Sequence, residues 1–309
     1  MGSFDFADSS LTLSEKLNQD NLVIVTSNHT ISGIFMAKAA KASGQERFDQ
    51  YYGEIYGNRW PVLREALLKE TNPVSLSDKL SEPYYMDKAS ILAASMLPIS
   101  ENNCVLDMCA APGGKTLSIA LRLNGKGRLI ANDRSASRRN RLISVLDSCL
   151  SQELRSVVKV TGHDSTTWSL HERDTYDRIL LDAPCSSERH VLTDSKALSI
   201  WSPNRPKQLA IQQFAMLAAA LDAAKYGAYI LYSTCSICPL ENELIIDKLS
   251  RKRNGLFEEV NLLASYPELS GKSESLSHGY IVLPDVQDGA GPLYFCLIRK
   301  TAASEGESL

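Results

Sequence analysis

Two cysteines on predicted turns after strands are the residues of this sequence best suited to covalent chemistry. Cys185 stands in DAPCSS (182–187), and Cys235 stands in YSTCS (232–236). A lone cysteine at the end of a strand is usually a small buried hydrophobic residue. Two cysteines that follow adjacent strands of a parallel sheet would instead face one pocket, where a thiolate formed near neutral pH is a nucleophile.

The stretch CAAPGGKT (109–116), which follows the strand-like run Cys104–Met108, is a second candidate for chemistry. Its small residues let the backbone turn tightly and approach a ligand at the start of the next helix. A Walker phosphate loop would need glycine five positions before Gly114, and Cys109 stands there. The loop is therefore predicted to bind an adenosine-containing cofactor rather than to cradle phosphates.

Aspartates end or follow three further strand-like runs. Asp133 comes about 20 positions after Gly113, the spacing at which doubly wound folds place a ribose-binding carboxylate. Asp164 is placed to meet an adenine, and Asp182 ends the fourth run. Any one of them could be a helix cap or a turn residue. Three carboxylates at the same rim of a sheet favour ligand binding.

One reaction that needs both the cysteine pair and such a cofactor is methylation of carbon 5 of cytosine. Carbon 5 is a poor nucleophile until a thiolate adds to carbon 6, which turns the ring into an enamine that can attack a sulfonium methyl group. A carboxyl group near N3 and the exocyclic amine can hold the base and stabilise developing charge. The base must leave its stack to reach such a pocket, which suits unpaired RNA.

Strand-like runs alternate with helical patterns from residue 103 onward. The strand-like runs are Cys104–Met108, Arg128–Asn132, Val157–Thr161, Asp177–Asp182 and Ala228–Ser233, with a final pair at Gly279–Leu283 and Leu293–Arg299. The helical patterns between them are Lys115–Leu123, Ser135–Leu150 and Lys207–Ala224. This order predicts an α/β fold with a doubly wound, mostly parallel sheet. Such sheets bind ligands at the carboxyl ends of their strands, near the topological switch point.

Residues 1–83 are interpreted as an N-terminal extension with a small helical region, before a catalytic domain at 84–300 and a tail at 301–309. Trp60, Leu63 and Leu67 fall on one helical face. A second helical pattern covers Asp87–Leu97 and is closed by Pro98. About the first thirty residues are expected to be poorly ordered.

The composition is that of an ordinary globular protein. The 309 residues are 44% hydrophobic and 22% charged, and no apolar run approaches the ~20 residues of a membrane span. The net charge of −3 gives no general basic signature. A surface for RNA would have to be local, built from Arg134, Arg138, Arg139 and Arg141 or from residues 251–253, or be supplied by a partner protein. The alternative is that these are solvated helix faces.

The seven cysteines are odd in number and scattered, which favours a reducing compartment over a disulfide framework. Cys235 and Cys238 form a CxxC pair without a second pair. A four-ligand zinc site is therefore not predicted, and no metal is expected.

Three motifs strongly resemble those of the Sun-domain RNA 5-methylcytosine methyltransferases of the Fmu/RsmB type. They are LDMCAAPGGKT (106–116), DAPCSS (182–187) and STCSICPLENE (233–243). The resemblance covers roughly residues 84 to 300. It implies a class I, Rossmann-like methyltransferase fold, S-adenosylmethionine as cofactor and a cytosine in RNA as substrate.

The resemblance also implies roles for individual residues. Cys235 is the expected nucleophile, Cys185 assists release of the methylated product, and Lys115 and Asp182 complete the catalytic set. The residues expected to bind the cofactor are Cys109, Ala110, Ala111, Pro112, Gly113, Gly114, Lys115, Asp133, Arg138, Asp164 and Asp182.

Three stretches resemble the mitochondrial members of this family: residues 48–68, 84–99 and 278–300. Those relatives methylate mitochondrial ribosomal RNA or a methionine tRNA, and the ribosomal one recruits a helical-repeat partner. The resemblance thus implies the mitochondrial matrix and a similar partner. The first thirty residues are acidic, however, with Lys16 as their one lysine or arginine, unlike the usual import sequence. The other expected location is the cytoplasm.

Three rival functions remain. A DNA cytosine methyltransferase shares the chemistry, but it uses the Pro-Cys cysteine as nucleophile and lacks the Thr-Cys partner. Methylation of proteins or small molecules needs no cysteine pair. A non-catalytic or dual-role ribosome assembly factor could retain the whole fold, and a catalytically dead Cys235→Ala chain that still supports growth would favour it.

Overall fold

The computed structural model describes residues 43–76 and 79–302. The first thirty residues, expected to be poorly ordered, lie outside these ranges, as does the end of the expected tail. Within the described ranges, no helix combines the length and the apolar character that a membrane crossing requires.

A nine-stranded sheet forms the centre of the molecule, and a separate two-stranded ribbon pairs β1 (Val74–Ser75) with β2 (Tyr85–Met86). The strands of the large sheet are β3 (Cys104–Asp107), β4 (Arg128–Asn132), β5 (Val158–Thr161), β6 (Tyr176–Asp182), β7 (Ala224–Thr234), β8 (Phe257–Glu259), β9 (Glu274–Ser275), β10 (Tyr280–Val282) and β11 (Leu293–Lys300). Their order is β5-β4-β3-β6-β7-β11-β10-β9, and β8 also pairs with β11. The first five strands of this order are parallel, whereas β11 is antiparallel to β7 and β10.

Helices cover both faces of the sheet, as the predicted doubly wound architecture requires. They are α1 (Gly44–Tyr56), α2 (Trp60–Leu68), α3 (Lys88–Ser95), α4 (Gly114–Leu123), α5 (Ala136–Cys149), α6 (Gln152–Ser156), α7 (Glu188–Thr193), α8 (Ser195–Ser199), α9 (Asn204–Ala223), α10 (Glu243–Lys252) and α11 (Leu262–Ser265). Short 3-10 turns lie at Gly57–Arg59, Ser165–Leu170, Pro239–Glu241 and Pro267–Leu269.

The two faces of the sheet each have their own hydrophobic core. Successive residues of β3 point to opposite faces, so that Leu106 joins the core beneath α1, α2 and α9, while Val105 joins the core beneath α3, α4 and α5. Both side chains are fully buried. A strand that is covered on both faces has a continuous run of apolar residues. The parallel strands could therefore be predicted from the sequence.

The two helices before the ribbon pack onto the part of the chain that forms the large sheet. Ser43 and Glu46 form a capping box that begins α1. Phe48 and Tyr52 on this helix and Trp60 on α2 are buried in an aromatic cluster with Trp201. This region therefore shares a core with the sheet.

The sheet order places a topological switch point between β3 and β6. The chain proceeds from β3 to β4 and β5 on one side, and then returns to add β6 and β7 on the other. Ligands of such sheets bind outside the carboxyl ends of the strands at this point. Asp107 ends β3 and Asp182 ends β6, so two carboxylates flank the expected ligand crevice.

Candidate active site

The loop at residues 109–113 joins the switch point to the start of α4. Four of its residues line a cavity of about 190 Å³, together with Gly114, Lys115 and Asp182: Cys109, Ala110, Ala111 and Pro112. Gly113 lines neither this cavity nor the cleft beside it. It has φ of 126°, and a Cβ atom there would lie 3.0 Å from Cγ1 of Val145 on α5. Glycine is required at this position because the loop packs closely against that helix.

A cleft of about 560 Å³ adjoins the loop, and the remaining predicted cofactor residues line it. Asp133 is 4% exposed, and its Oδ2 atom has no hydrogen-bond partner although it lies 3.4 Å from the Arg138 guanidinium. Asp164 accepts hydrogen bonds from Thr166 that lower its pKa, and it forms an ion pair of 3.0 Å with Arg134. The two carboxylates face one cleft, as the strand-end spacing predicts.

Two arginines of α5 contact the backbone beside this cleft. Arg138 donates a hydrogen bond of 2.7 Å to the carbonyl of Ala111, in the cofactor loop. Arg139 donates two bonds of 2.8 Å to the carbonyls of Asp133 and Arg134. These contacts fix the positions of the loop and of the rim carboxylates.

Asp182 and Lys115 form an ion pair at the end of β6. The Lys115 Nζ atom donates to Asp182 Oδ2 at 2.7 Å, and Ser233 Oγ donates to the other carboxylate oxygen at 2.8 Å. Burial acts to lower the pKa of Lys115, but the charges of Asp182, Cys235 and Asp107 outweigh it and raise that pKa. Lys115 is therefore an ammonium ion, and its charge is directed at the carboxylate and the cysteines.

Asp107 is a site residue that the sequence argument missed. It is fully buried, lines the 190 Å³ cavity and accepts a hydrogen bond of 2.7 Å from Thr116 Oγ1. Its Oδ1 atom has no hydrogen-bond partner in the described structure. Asp107 ends β3 just as Asp182 ends β6, so the rule applied to the other strands would have found it.

The ionisation of Asp107 is expected to make folding stability depend on pH. Burial raises the pKa of this carboxyl from 3.8 to about 7, against the opposing hydrogen bond from Thr116. Because the folded-state pKa is the higher one, the folded protein holds this proton more tightly than the unfolded chain. The stabilisation that the Asp107 proton gives to the folded state is fully present below the pKa that Asp107 has in the unfolded chain. It is lost as the pH rises through about 7.

Urea unfolding of the wild type at pH 5 and pH 7.5 should show part of this loss, with a decrease of about 2.5 kcal/mol in the free energy of unfolding between the two pH values. Asp107→Asn should remove that part of the dependence. An equal pH dependence in the variant and the wild type would contradict the assignment.

Cys185 and Cys235 meet at the carboxyl ends of β6 and β7, as predicted. Their Sγ atoms are 3.0 Å apart, and Ser187 Oγ lies 3.2 Å from Cys235 Sγ. All seven cysteines are free thiols. Hydrogen bonds from Cys185 and Ser187, partly opposed by burial, lower the pKa of Cys235. The hydrogen bond to Cys235 and burial raise the pKa of Cys185 well above its usual value.

This asymmetry gives the two thiols different chemistry. Cys235 is the member of the pair that ionises first, and its residue is exposed. It opens into a cleft of about 700 Å³, between the end of α2 and the start of α7. Ser90 lines both this cleft and the cavity of Lys115 and Asp182. The two cavities therefore adjoin at Ser90.

Arg189 holds the wall of the Cys235 cleft. Its guanidinium donates hydrogen bonds of 2.7 to 3.2 Å to the carbonyls of Leu67 and Lys69, at the end of α2, and to those of Gly289 and Gly291. Carbonyls at the end of a helix and in an irregular loop have no hydrogen-bond partner within regular secondary structure, and Arg189 supplies one. One side chain thus ties three segments around the opening.

Comparison with known proteins agrees with this geometry. The 5-cytosine rRNA methyltransferase NSUN4 of Mus musculus is 36% identical over 243 residues, which are 72% of this chain and 61% of that protein. The ribosomal RNA small subunit methyltransferase F of Escherichia coli is 34% identical over 238 residues, 74% of this chain and 47% of that protein. The chain therefore spans about half to three fifths of the length of these relatives.

Solved structures share the fold. A methyltransferase homolog protein from Pyrococcus horikoshii superposes with a TM-score of 0.64 at 21% identity, covering 82% of this chain and 94% of that one. NSun6 from the same organism, solved with SFG, has a TM-score of 0.57 at 25% identity and covers 72% of this chain and 54% of that one.

A parallel sheet with cofactor-loop and carboxylate residues at its switch point defines the class I, Rossmann-like methyltransferase fold. Within that class, the 16S rRNA methyltransferase RsmB/F family matches residues 94–293. The chain belongs to this family.

Proposed function

We propose that this protein transfers a methyl group from S-adenosylmethionine to carbon 5 of a cytosine in RNA, through a covalent bond between Cys235 and carbon 6. The observation that carries the proposal is the meeting of two thiols, 3.0 Å apart, with the ion pair of Lys115 and Asp182 at one switch point. The relatives named as cytosine methyltransferases of rRNA support the same reaction.

S-Adenosylmethionine fits the residues at the rim. The Oδ2 atom of Asp133 and the Oδ1 atom of Asp107 are buried and lack hydrogen-bond partners in the described structure, so a ligand with hydroxyl or ammonium donors would satisfy them. NSun6, solved with an analogue of this cofactor, supports the assignment. The bound cofactor supplies an activated methyl group. Asp133 and Asp164 would hold its nucleoside part, and the loop at 109–115 would lie against the rest.

The protein's own groups then have separate tasks. The Cys235 thiolate adds to carbon 6, which makes carbon 5 nucleophilic. Asp182, held by Lys115 and Ser233, accepts a hydrogen bond from the amino group of the base. As the thiolate adds, a proton of the Lys115–Asp182 pair passes to N3 and neutralises the negative charge that develops on the ring, and it returns when the thiolate is expelled. After methylation the carbon 5 proton leaves to a base and the Cys235 thiolate is expelled. Cys185, protonated at rest because of its high pKa, assists that release.

For the substrate we favour ribosomal RNA, because the relatives above carry that substrate in their names. The resemblance of residues 48–68, 84–99 and 278–300 to the mitochondrial members of the family favours the mitochondrial matrix. Because the net charge of this chain is −3, a helical-repeat partner would supply the basic surface for RNA. The arginines of α5 already engage the cofactor cleft, which strengthens the case for a partner.

The test is transfer of labelled methyl from S-adenosylmethionine to total cellular RNA and to mitochondrial RNA, with the product identified as a nucleoside. The expected product is 5-methylcytidine, enriched in mitochondrial ribosomal RNA. Candidate helical-repeat partners are added in a second arm. If the protein binds the cofactor but labels no RNA in either arm, the proposal fails, and a role in ribosome assembly without catalysis takes its place.

A further inference from the structure

Two buried glutamates lie beneath the loops that carry the active-site cysteines. Glu188 follows Cys185 by three residues at the start of α7, and Glu241 follows Cys235 by six. Both side chains are 0% exposed. Neither glutamate has a task in the mechanism above.

The hydrogen bonds of the two carboxylates cross from one loop to the other. Glu188 belongs to the Cys185 loop, yet it accepts from Ser236 Oγ at 3.0 Å and from the Ile237 amide at 3.1 Å, next to Cys235. Glu241 belongs to the Cys235 loop, yet it accepts from the Ser186 amide at 2.9 Å, next to Cys185.

Two serines add to these hydrogen bonds between the loops, and we call the whole set of bonds cross-bracing. The Ser186 hydroxyl lies within hydrogen-bond distance of both carboxylates, and so does the Ser236 hydroxyl, which lies 3.1 Å from Ser186 Oγ. Each of these serines is the direct neighbour of an active-site cysteine. A displacement of either carboxylate would therefore move both loops.

Helices on the same face of the sheet hold the carboxylates from outside the loops. Tyr52 on α1 donates its hydroxyl to Glu188 at 2.5 Å, and Gln213 on α9 donates its amide to Glu241 at 2.9 Å. All the donors named here are neutral. Burial and the nearby charge of Glu188 raise the pKa of Glu241 to about 7.

Stability alone does not account for such a pair. Burying carboxylates among neutral donors costs several kcal/mol, and apolar residues of similar volume are often at least as stable. What a fully connected buried network provides is a unique arrangement of the segments that it joins. Here those segments are the two cysteine loops.

We propose that Glu188 and Glu241 are positioning residues that fix Cys185 and Ser187 against Cys235 by cross-bracing their loops. The consequence for catalysis rests on the proposed function, but the positioning itself does not. It can be read from the reactivity of Cys235 without any RNA.

The experiment measures the alkylation rate of Cys235 by iodoacetamide against pH in the full-length protein, with the labelled peptide identified by mass spectrometry. Cys185 and Ser187 contact Cys235 directly, while Lys115, Asp182 and Glu188 act on it through their charges. In Glu241→Leu the loops should separate, and Cys235 should lose the hydrogen bonds that favour its thiolate. The pH midpoint of Cys235 ionisation should therefore rise. Because only the thiolate reacts, alkylation at pH 7 should be about tenfold slower for each pH unit by which the midpoint rises.

Glu241→Gln should behave like the wild type. Its amide oxygen can accept from the Ser186 amide and from Gln213, and its amino group can donate to the two serine hydroxyls. The matched control is Glu274→Leu, which removes a partner of Arg59 away from the cysteine loops. Circular dichroism checks that each variant is folded. Should Glu241→Leu fail to fold, Ser186→Ala removes the shared hydroxyl with a smaller change and should shift the midpoint in the same direction.

A methyl-transfer assay on the same proteins gives the catalytic consequence. Misplacing a reacting group by about 1 Å commonly costs ~100-fold, so kcat should fall by that factor in Glu241→Leu while KM for the cofactor stays unchanged. A folded Glu241→Leu or Ser186→Ala protein with the wild-type Cys235 midpoint would overturn the proposal, and so would an equal shift in Glu274→Leu. If the wild type methylates no RNA, the proposed function fails, while the alkylation result still decides the positioning role.

Discussion

Replacement of Cys235 by alanine is expected to abolish methyl transfer to RNA, by roughly 10⁴-fold or more, and to leave cofactor binding unchanged. The thiolate is the group assigned to attack carbon 6, and the neighbouring thiol of Cys185 is held protonated by its raised pKa. The sulfur lies in the 700 Å³ cleft, whereas the predicted cofactor residues other than Gly113 line the cavities of 190 Å³ and 560 Å³. Its removal should therefore not disturb them. Single-turnover methyl transfer and calorimetric titration with S-adenosylmethionine measure the two effects separately.

Cys185→Ala should give a different defect. The nucleophile remains and can add to the base, but the group that assists its expulsion is gone. A covalent complex of protein and RNA that survives denaturing electrophoresis should accumulate. The matched control is Cys238→Ala, because Cys238 lies three residues beyond the nucleophile and is buried against the Tyr51 hydroxyl at 3.4 Å. If Cys235→Ala methylates cytosine, or if Cys185→Ala instead abolishes addition, the assignment of the two thiols is wrong.

The sequence predicted the catalytic core of the fold because its parallel strands are buried on both faces. Arg128–Asn132 was located to the residue, and the other parallel strands differ mainly in their ends, with β7 beginning at Ala224 rather than Ala228. The short strands β1, β2, β8 and β9 were missed. Each has two or three residues, too few for a period of two to be visible. Their pairing depends on contacts between distant segments.

The sequence predicted those residues of the candidate site that directly follow the ends of strands. It did not predict contacts between residues that are distant in the sequence. The meeting of Cys185 and Cys235 follows from parallel topology alone, and the structure confirms it at 3.0 Å. The bonds of Glu188 and Glu241 do not follow from spacing, since each crosses about fifty residues of chain to reach the other loop. The hydrogen bonds of Arg138 and Arg139 illustrate the same limit, because the sequence pattern of α5 does not show that these side chains reach the carbonyls of Ala111 and Asp133. The RNA surface suggested for the arginines of this helix stays a prediction.

Replacement of Asp182 by alanine is expected to lower kcat by about 100-fold or more, beyond any loss of cofactor affinity. The carboxylate is assigned to N3 and the amino group of the cytosine, where charge develops only as the thiolate adds. Its loss also leaves the Lys115 ammonium, whose side chain is 12% exposed, without the partner that it contacts at 2.7 Å. An unpaired charge at a nearly buried site costs free energy and changes the field around Cys235. Rapid-quench methyl transfer at saturating S-adenosylmethionine measures kcat independently of any change in the affinity for this cofactor.

The comparison that isolates this role is Asp133→Asn. Asp133 lines the 560 Å³ cleft and not the cavity of Lys115, so its replacement should raise KM for S-adenosylmethionine with little change in kcat. Asp182→Asn, which keeps the volume and one oxygen acceptor but cannot pass a proton to N3, should resemble Asp182→Ala in kcat if protonation of N3 is what stabilises the reacting ring. A near-normal kcat in Asp182→Asn would show that Asp182 acts on the cytosine through hydrogen bonding alone. A change only in cofactor affinity, with turnover intact in both Asp182 variants, would show that this carboxylate serves the cofactor and not the cytosine.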